Sequence, residues 1–598
     1  MASQHPGHTF HIPVMGIAFS VDAAVKVAPF GISTVISLVD DILFEKLREF
    51  YCNQLHLPFK PIAKKEEDFR AKRVTAYLNL INDIVSQKFN AIKQDFSDQK
   101  ENVAKYFDLL PQDALLKQSY LKLESAGLSL KEIWQNLKDK LVVGNIDVNI
   151  MTKLDKENFK NGKKLPVFYN DAHSALRGFA NSNLKSSIVL SAGMNRRLYT
   201  YFEDLTDFYP DENLNLNKKI TLKVTDFRSA LIQGKFFAQK GLWVSEFRVE
   251  SGLNCGGHTF PSDGILMGPI LQDFKDKRHE LVEMFFSEYT KALRKKGKPI
   301  PKTPFPIKIT AQGGVGTHEE HEFLMNFYGL DSVGWGSPFL LVPEVINIDT
   351  ETLNLLKNAK ENDYFLSDIS PLGVKFNSIK GNSKDLKRQE WIQQGNPGSP
   401  CPKQYLVSNT EFTDKPICVA SRQYQKQKIK ELEEKHLPQK QYQQEFDKIT
   451  EKSCICVGLG TAALKVNNLD YTVEGPGVSI CPGPNLAYYS KEKTFQQMVD
   501  HIYGRKCVEI KSNRPNLFLK ELSINFTHLE EKIKKLQNSE EKADQKSLKS
   551  FYKNLHKSLD YYKQLFETVF PSYFDKDISM TEDLTKLYNE LNDIGKSI

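Results

Sequence analysis

Ile307-Lys-Ile-Thr310 leads into Gln312-Gly-Gly-Val-Gly-Thr317, and Ser332-Val-Gly-Trp335 leads into Gly334-Trp-Gly-Ser-Pro-Phe339. Each is an apolar, β-branched run that ends in glycines, and the first is followed by helical spacing from Glu319 to Tyr328. Glycines without Cβ let backbone N–H groups close on an anion, and a helix N-terminus adds favourable potential. Two such turns in tandem are what the last two βα loops of an eight-stranded barrel use to hold a phosphate. Two ordinary glycine turns are the plainer reading of the same text.

Working outward, six further runs read as strands: His11–Gly16, Ile32–Val39, Ile146–Met151, Ser187–Ala192, Lys219–Thr225 and Leu242–Val249. Helical text separates most of them. It includes 22–28, about 226–240 with Asp226 as N-cap, and about 268–296. Alternating β and α implies a parallel sheet, and eight units suggest closure. The expected fold class is therefore α/β, a (β/α)8 TIM barrel over 1–40 and 141–345. An open doubly wound sheet is the alternative. Residues 41–140 are rich in Lys, Glu, Gln and Leu and read as a helical insertion. Residues 346–515 form a Cys-, Gly- and Pro-rich extension that could serve as a lid, interrupted by a Lys/Gln-rich helix at about 421–450. Residues 516–598 read as a C-terminal helical segment, with Ser579-Met-Thr-Glu582 as a capping box.

Glu250-Ser-Gly-Leu-Asn-Cys-Gly-Gly-His258 follows the sixth strand and puts His258 on the same rim. An imidazole there can take a proton from carbon or donate to developing negative charge. Together these elements resemble the nitronate monooxygenase (2-nitropropane dioxygenase) family, whose barrel is shared by the flavin-dependent enoyl reductases. The resemblance implies FMN as cofactor and His258 as the catalytic residue. It places Met15 and Gly16, Asn149, Lys223, and Gly256 and Gly257 at the flavin. It places Gly313, Gly314 and Gly316, with Gly334, Gly336 and Ser337, at the phosphate. Phe260, Trp335 and Pro338 depart from the family pattern. The implied reaction is oxidation of an acidic-carbon substrate. The alternatives are an NAD(P)H-dependent enoyl reductase-like enzyme on an acyl substrate, and a flavin enzyme, with or without an iron–sulfur cluster, that modifies RNA or another macromolecule. A barrel that only binds a partner is a third class. No separate Gly-x-Gly-x-x-Gly unit is present, so NAD(P)H would bind over the flavin.

Five of the eight cysteines, Cys401, Cys418, Cys454, Cys456 and Cys481, fall among loops of the extension. Thiolates ligate zinc and iron–sulfur clusters, but no pair has Cys-x-x-Cys spacing, so buried free thiols are the plainer reading. His318, Glu319, Glu320 and His321 read as the start of a helix, where acidic side chains favour the dipole. His5, His8 and His11 read as solvated or rim residues. A net charge of +7 over 598 residues argues neither for nor against nucleic acid. No run approaches the roughly 20 apolar residues of a membrane span, and the first residues lack a basic segment before an apolar one. The expected compartment is the cytoplasm. Self-association stays open.

Overall fold

The computed structural model of the protein describes residues 7–152, 154–259, 264–536, 542–574 and 578–596. Eight parallel strands close into a barrel: β1 Phe10–Ile12, β2 Ser33–Ser37, β3 Ile146–Ile150, β4 Ser187–Leu190, β5 Lys219–Val224, β6 Val244–Glu250, β7 Lys308–Gln312 and β8 Ser332–Gly334. Closure is made where His11 pairs with Gly334 on one side and with Ser33 on the other. The first strand is shorter than the sequence suggests, because Pro13 has no N–H to continue the ladder.

Period-two alternation explains what each strand faces. In β6, Phe247 meets Phe274 and Phe285 of the helix Met267–Lys296, so that parity faces the outer ring. The other parity, Glu246, Arg248 and Glu250, faces the barrel axis. Arg248 Nη2 lies 2.8 Å from Glu246 Oε1, and Thr310 Oγ1 donates to the same oxygen at 2.6 Å. Burial pushes the Glu246 carboxyl up, but Arg248 and His11 more than offset this and hold it at about 2. Burial, reinforced by Arg248, keeps His11 neutral, near 3.

The ring helix after β2 comes from the stretch read as an insertion. Helix Phe69–Gln94 packs against Asp171–Ala180, the helix after β3, and Gly178 makes this possible. A Cβ there would stand 2.6 Å from Val74 Cβ. The helices Asp41–Gln54, Phe96–Leu109, Leu115–Ser125 and Leu130–Leu137 are what the stretch adds to that ring helix. Asp226 caps Phe227–Ala238 by accepting the Ser229 N–H. The Lys/Gln-rich stretch is two helices, Arg422–Glu434 and Gln439–Glu451, broken where His436 takes a positive φ and Pro438 follows. The capping box read at Ser579 falls within Ile578–Gly595, where side chains from 575 to 581 lie outside the described residues. His5 and Phe260 lie outside them too.

One buried apolar cluster runs from Phe10 through the extension to Ile594. A hairpin of β9 Tyr364–Ser367 and β10 Phe376–Ile379, a buried helix Ile455–Val466 and the helices Leu517–Leu536 and Lys542–Thr568 all contribute to it. Among the described residues, no helix is long and apolar enough to cross a membrane.

Where the C-terminal helices meet the barrel, Glu521 is buried. It accepts from Ser251 Oγ at 2.6 Å, Tyr562 Oη at 3.0 Å and the Met267 N–H at 3.1 Å. Burial raises its carboxyl from 4.5 to about 7, against these hydrogen bonds. The folded protein therefore keeps this proton over a range in which the unfolded chain has lost it. That contribution is complete below about pH 4.5 and is lost as pH rises through about 7. Glu521→Gln should accordingly gain on the wild type by on the order of 3 kcal/mol between pH 4.5 and 8. Denaturant midpoints at the two pH values test this, and a gap that does not change with pH would refute it.

Candidate active site

All eight strands send their C-terminal ends to one cavity. Met15 and Gly16 follow β1, Ser37 ends β2, Asn149 lies in β3, Ser191 follows β4, Lys223 lies in β5, Glu250 ends β6, Gln312 ends β7 and Gly334 ends β8. The sequence-predicted residues Met15, Gly16, Asn149, Lys223, Gly256, Gly257, His258, Gly313, Gly314, Gly334, Gly336 and Ser337 all line it. Parallel strands that close in register must place their following loops side by side.

Gly316 is the exception. It does not line the cavity. Its N–H donates to Glu320 Oε2 at 2.9 Å, and a Cβ there would stand 2.7 Å from the Arg514 guanidinium. Protein side chains also explain two other glycines. A Cβ on Gly314, whose φ is +84°, would come within 2.1 Å of Asn254 Nδ2, and one on Gly313 within 3.1 Å of Ser251 Cβ. The turn at 313–316 is therefore shaped by neighbouring protein segments.

The extension supplies the roof, which the sequence reading did not resolve. Gly257 N–H donates to Cys481 O at 3.1 Å, and Gly483 N–H to Ser337 Oγ at 2.8 Å. Asn485 Nδ2 donates to Val315 O at 3.0 Å. The segment Cys481-Pro-Gly-Pro-Asn485 thus spans the histidine loop and both glycine turns. Leu372, Leu406, Leu459 and Ile480 add apolar wall. The only sequence signal for this was the glycine–proline punctuation of 481–484.

His258 is held from the same side. Ser370 Oγ lies 2.8 Å from its Nε2, and Phe376 of β10 stands edge-on to the ring at 5.0 Å between centroids. The hairpin is laced to the loop, because Asn377 N–H donates to Gly257 O at 3.0 Å and Thr259 N–H to Lys375 O at 2.9 Å.

The floor is polar. Lys223 Nζ lies 3.2 Å from Glu250 Oε1, and Gln312 Nε2 donates to the same oxygen at 2.5 Å. Asn149 Oδ1, Asn254 Oδ1 and Gln312 Oε1 are buried with no hydrogen-bond partner. An orphaned buried acceptor costs about 1–3 kcal/mol, so three lining one cavity fit a ligand that brings N–H donors. Burial pushes the thiols of Cys255 and Cys481 up to about 12, so both are neutral.

No family model matches the chain. No curated protein matches it either. Among solved structures it is similar to FabK from Thermotoga maritima, at 13% identity and a TM-score of 0.30 over 63% of this chain and 79% of that one. It is similar to the enoyl reductase domain of MlnA from the macrolactin biosynthesis cluster of Bacillus amyloliquefaciens, at 15% identity and 0.30, over 73% and 89%. It is also similar to nitroalkane oxidase from Streptomyces ansochromogenes, at 10% and 0.30, over 63% and 84%.

The remaining sequence candidates have other surroundings. His321 Nε2 lies 3.0 Å from Thr9 Oγ1, and Trp335 Nε1 donates to His321 Nδ1 at 3.2 Å. Glu320 is paired with Arg514. In the Lys-rich helices, Lys428 pairs with Glu411 and Glu431, and Lys448 with Glu445. Cys456 and Cys481 both line the cavity, Cys481 at its roof beside Gly257, and among the described residues no group of Cys401, Cys418, Cys454, Cys456 and Cys481 is placed to hold a metal ion.

Proposed function

We propose that this chain is an FMN-dependent oxidoreductase of the nitronate monooxygenase type, acting on a substrate with an acidic C–H. The observation that carries this reading is the convergence, on one cavity at the C-terminal mouth of a closed barrel, of two glycine turns, three unpartnered acceptors and a histidine. The residues present fit the cofactor. Asn149 and Gln312 offer buried acceptors to N–H groups of a flat heteroaromatic ring, and Lys223 supplies a cation in the same cavity. The turns Gly313–Gly314 and Gly336–Ser337 line this cavity, where backbone N–H groups of glycine turns can close on a phosphate. Bound flavin would supply a two-electron acceptor, chemistry that no side chain offers.

The protein's own share is position and proton handling. His258 is oriented by Ser370, whose hydroxyl also accepts the Leu372 N–H at 3.2 Å. That hydroxyl can give or take the proton on Nε2 as the ring changes charge. The apolar roof excludes water and strengthens each electrostatic contact beneath it.

Purified protein should be yellow, and denaturation should release about one FMN per chain, identified by mass spectrometry. Colourless protein with no bound nucleotide would overturn the reading.

A further inference from the structure

The extension leaves one side of the barrel mouth uncovered. It joins the loop after β1, where Ala18 N–H donates to Leu459 O at 3.0 Å, and the loop after β2, where Lys403 Nζ lies 2.6 Å from Asp40 Oδ2. Its segment 481–485 spans the loops after β6, β7 and β8. Among the described residues, no hydrogen bond or ion pair ties it to the loops after β4 and β5. There a second cavity, of about 150 Å³, opens between Gly193 and Met194 on one side and Thr225, Ser229 and Ile232 on the other. Self-contained ligand pockets run to roughly 300–1,000 Å³, so this one is too small to be a site alone. It shares Lys223 with the main cavity. Gly193 is exposed and Ile232 is 54% exposed, so the passage reaches solvent.

Apart from Lys223, no charged side chain lines this passage. Its outer lip is basic. Arg196 and Arg197 follow Met194 by two and three residues and open the helix Arg196–Tyr201. Arg228 precedes Ser229 and stands one turn before Ile232 on the helix Phe227–Ala238. All three arginines are exposed, and among the described residues their side chains have no hydrogen-bond or ion-pair partner. Asp226, the carboxylate next to Arg228 but one, is taken up by the Ser229 N–H at 2.6 Å and hydroxyl at 2.5 Å. Guanidinium forks match phosphate oxygens, and a narrow neutral passage matches an uncharged arm.

We propose that a small phosphate-bearing ligand docks its head on Arg196, Arg197 and Arg228. Its uncharged arm passes between the loops after β4 and β5 to reach Lys223 and the main cavity. None of the three arginines lines the main cavity, so this site stands apart from the flavin reading. A reduced nicotinamide dinucleotide and coenzyme A share the required chemistry, a phosphate head joined to an uncharged arm.

Full-length protein should be tested by equilibrium dialysis without oxygen against NADPH, coenzyme A and inorganic pyrophosphate, which is a head without an arm. At least one of the first two should bind, and less tightly as salt rises. The tighter of the two names the source of the head. Arg196→Glu with Arg197→Glu, and separately Arg228→Glu, should weaken that probe and pyrophosphate by roughly tenfold or more. Arg294→Glu, at an exposed site in the last turn of the helix Met267–Lys296, should bind as the wild type does. Met194→Trp narrows the passage without changing charge. It should weaken the armed probe and leave pyrophosphate alone. Circular dichroism on each variant checks that it folds. Failure of both armed probes to bind at millimolar concentration, or equal binding by the wild type and the reversed arginines, would overturn the proposal. So would an armed probe that Met194→Trp leaves untouched. Released flavin is counted on the same samples, so a colourless protein that still binds the probe refutes only the flavin reading.

Discussion

Arg514→Ala is expected to destabilise the folded protein by about 3–5 kcal/mol. The guanidinium holds the Glu320 carboxylate with two bonds, Nη1 to Oε1 at 2.9 Å and Nη2 to Oε2 at 2.7 Å. It also donates to Gly314 O at 2.9 Å and to Asn485 Oδ1 at 2.6 Å. The side chains are 6% and 2% exposed, so alanine would strand a carboxylate away from water, with only the Gly316 and Leu517 N–H groups left to it. Against a whole-protein stability of roughly 5–15 kcal/mol, such a loss is large. The glycine turn at 313–316 loses its support in the same step, so retention of any ligand in the cavity should fall as well. The double variant Arg514→Met with Glu320→Gln removes both charges and should recover most of the loss. Urea midpoints of the wild type and the two variants decide the matter. A single variant as stable as the wild type would show that the pair does not support the turn.

His258→Ala should leave flavin content unchanged and slow turnover by roughly 10²-fold or more, the usual worth of a positioned general base or acid. The loop backbone is held by Gly257 and Thr259 bonds that do not use the imidazole, so the loop should keep its course. Ser370→Ala should cost only a fewfold in turnover, while moving the limb of the pH–rate profile that reports the histidine. Steady-state rates with nitronates, together with released flavin, measure both effects. Unchanged turnover in His258→Ala would remove the histidine from the reaction.

Some of this site was legible in the sequence because the signals are local. Asn149 and Lys223 sit on strands whose period fixes the face they present, and Gly313 and Gly314 follow a strand end that any closed barrel must bring to its mouth. Gly316 shows where local reading stops. Its missing Cβ makes room for Arg514, about two hundred residues away, and nothing near position 316 announces that. The roof at 481–485, the Ser370 hydroxyl on His258 and the polar layer of Glu246, Arg248 and Thr310 depend likewise on partners from distant chain.

The sequence by itself determined the eight strands, some of the helices between them and the rim position of most of the glycine-turn residues and of His258, because strand period, helix period and glycine punctuation act over a few residues. Only the tertiary structure decided that the extension closes over the cavity, that helix Phe69–Gln94 belongs to the barrel's ring, and that Cys456 and Cys481 reach the cavity wall. Those contacts join segments tens to hundreds of residues apart, and burial and charge pairing select them once the chain has closed on itself.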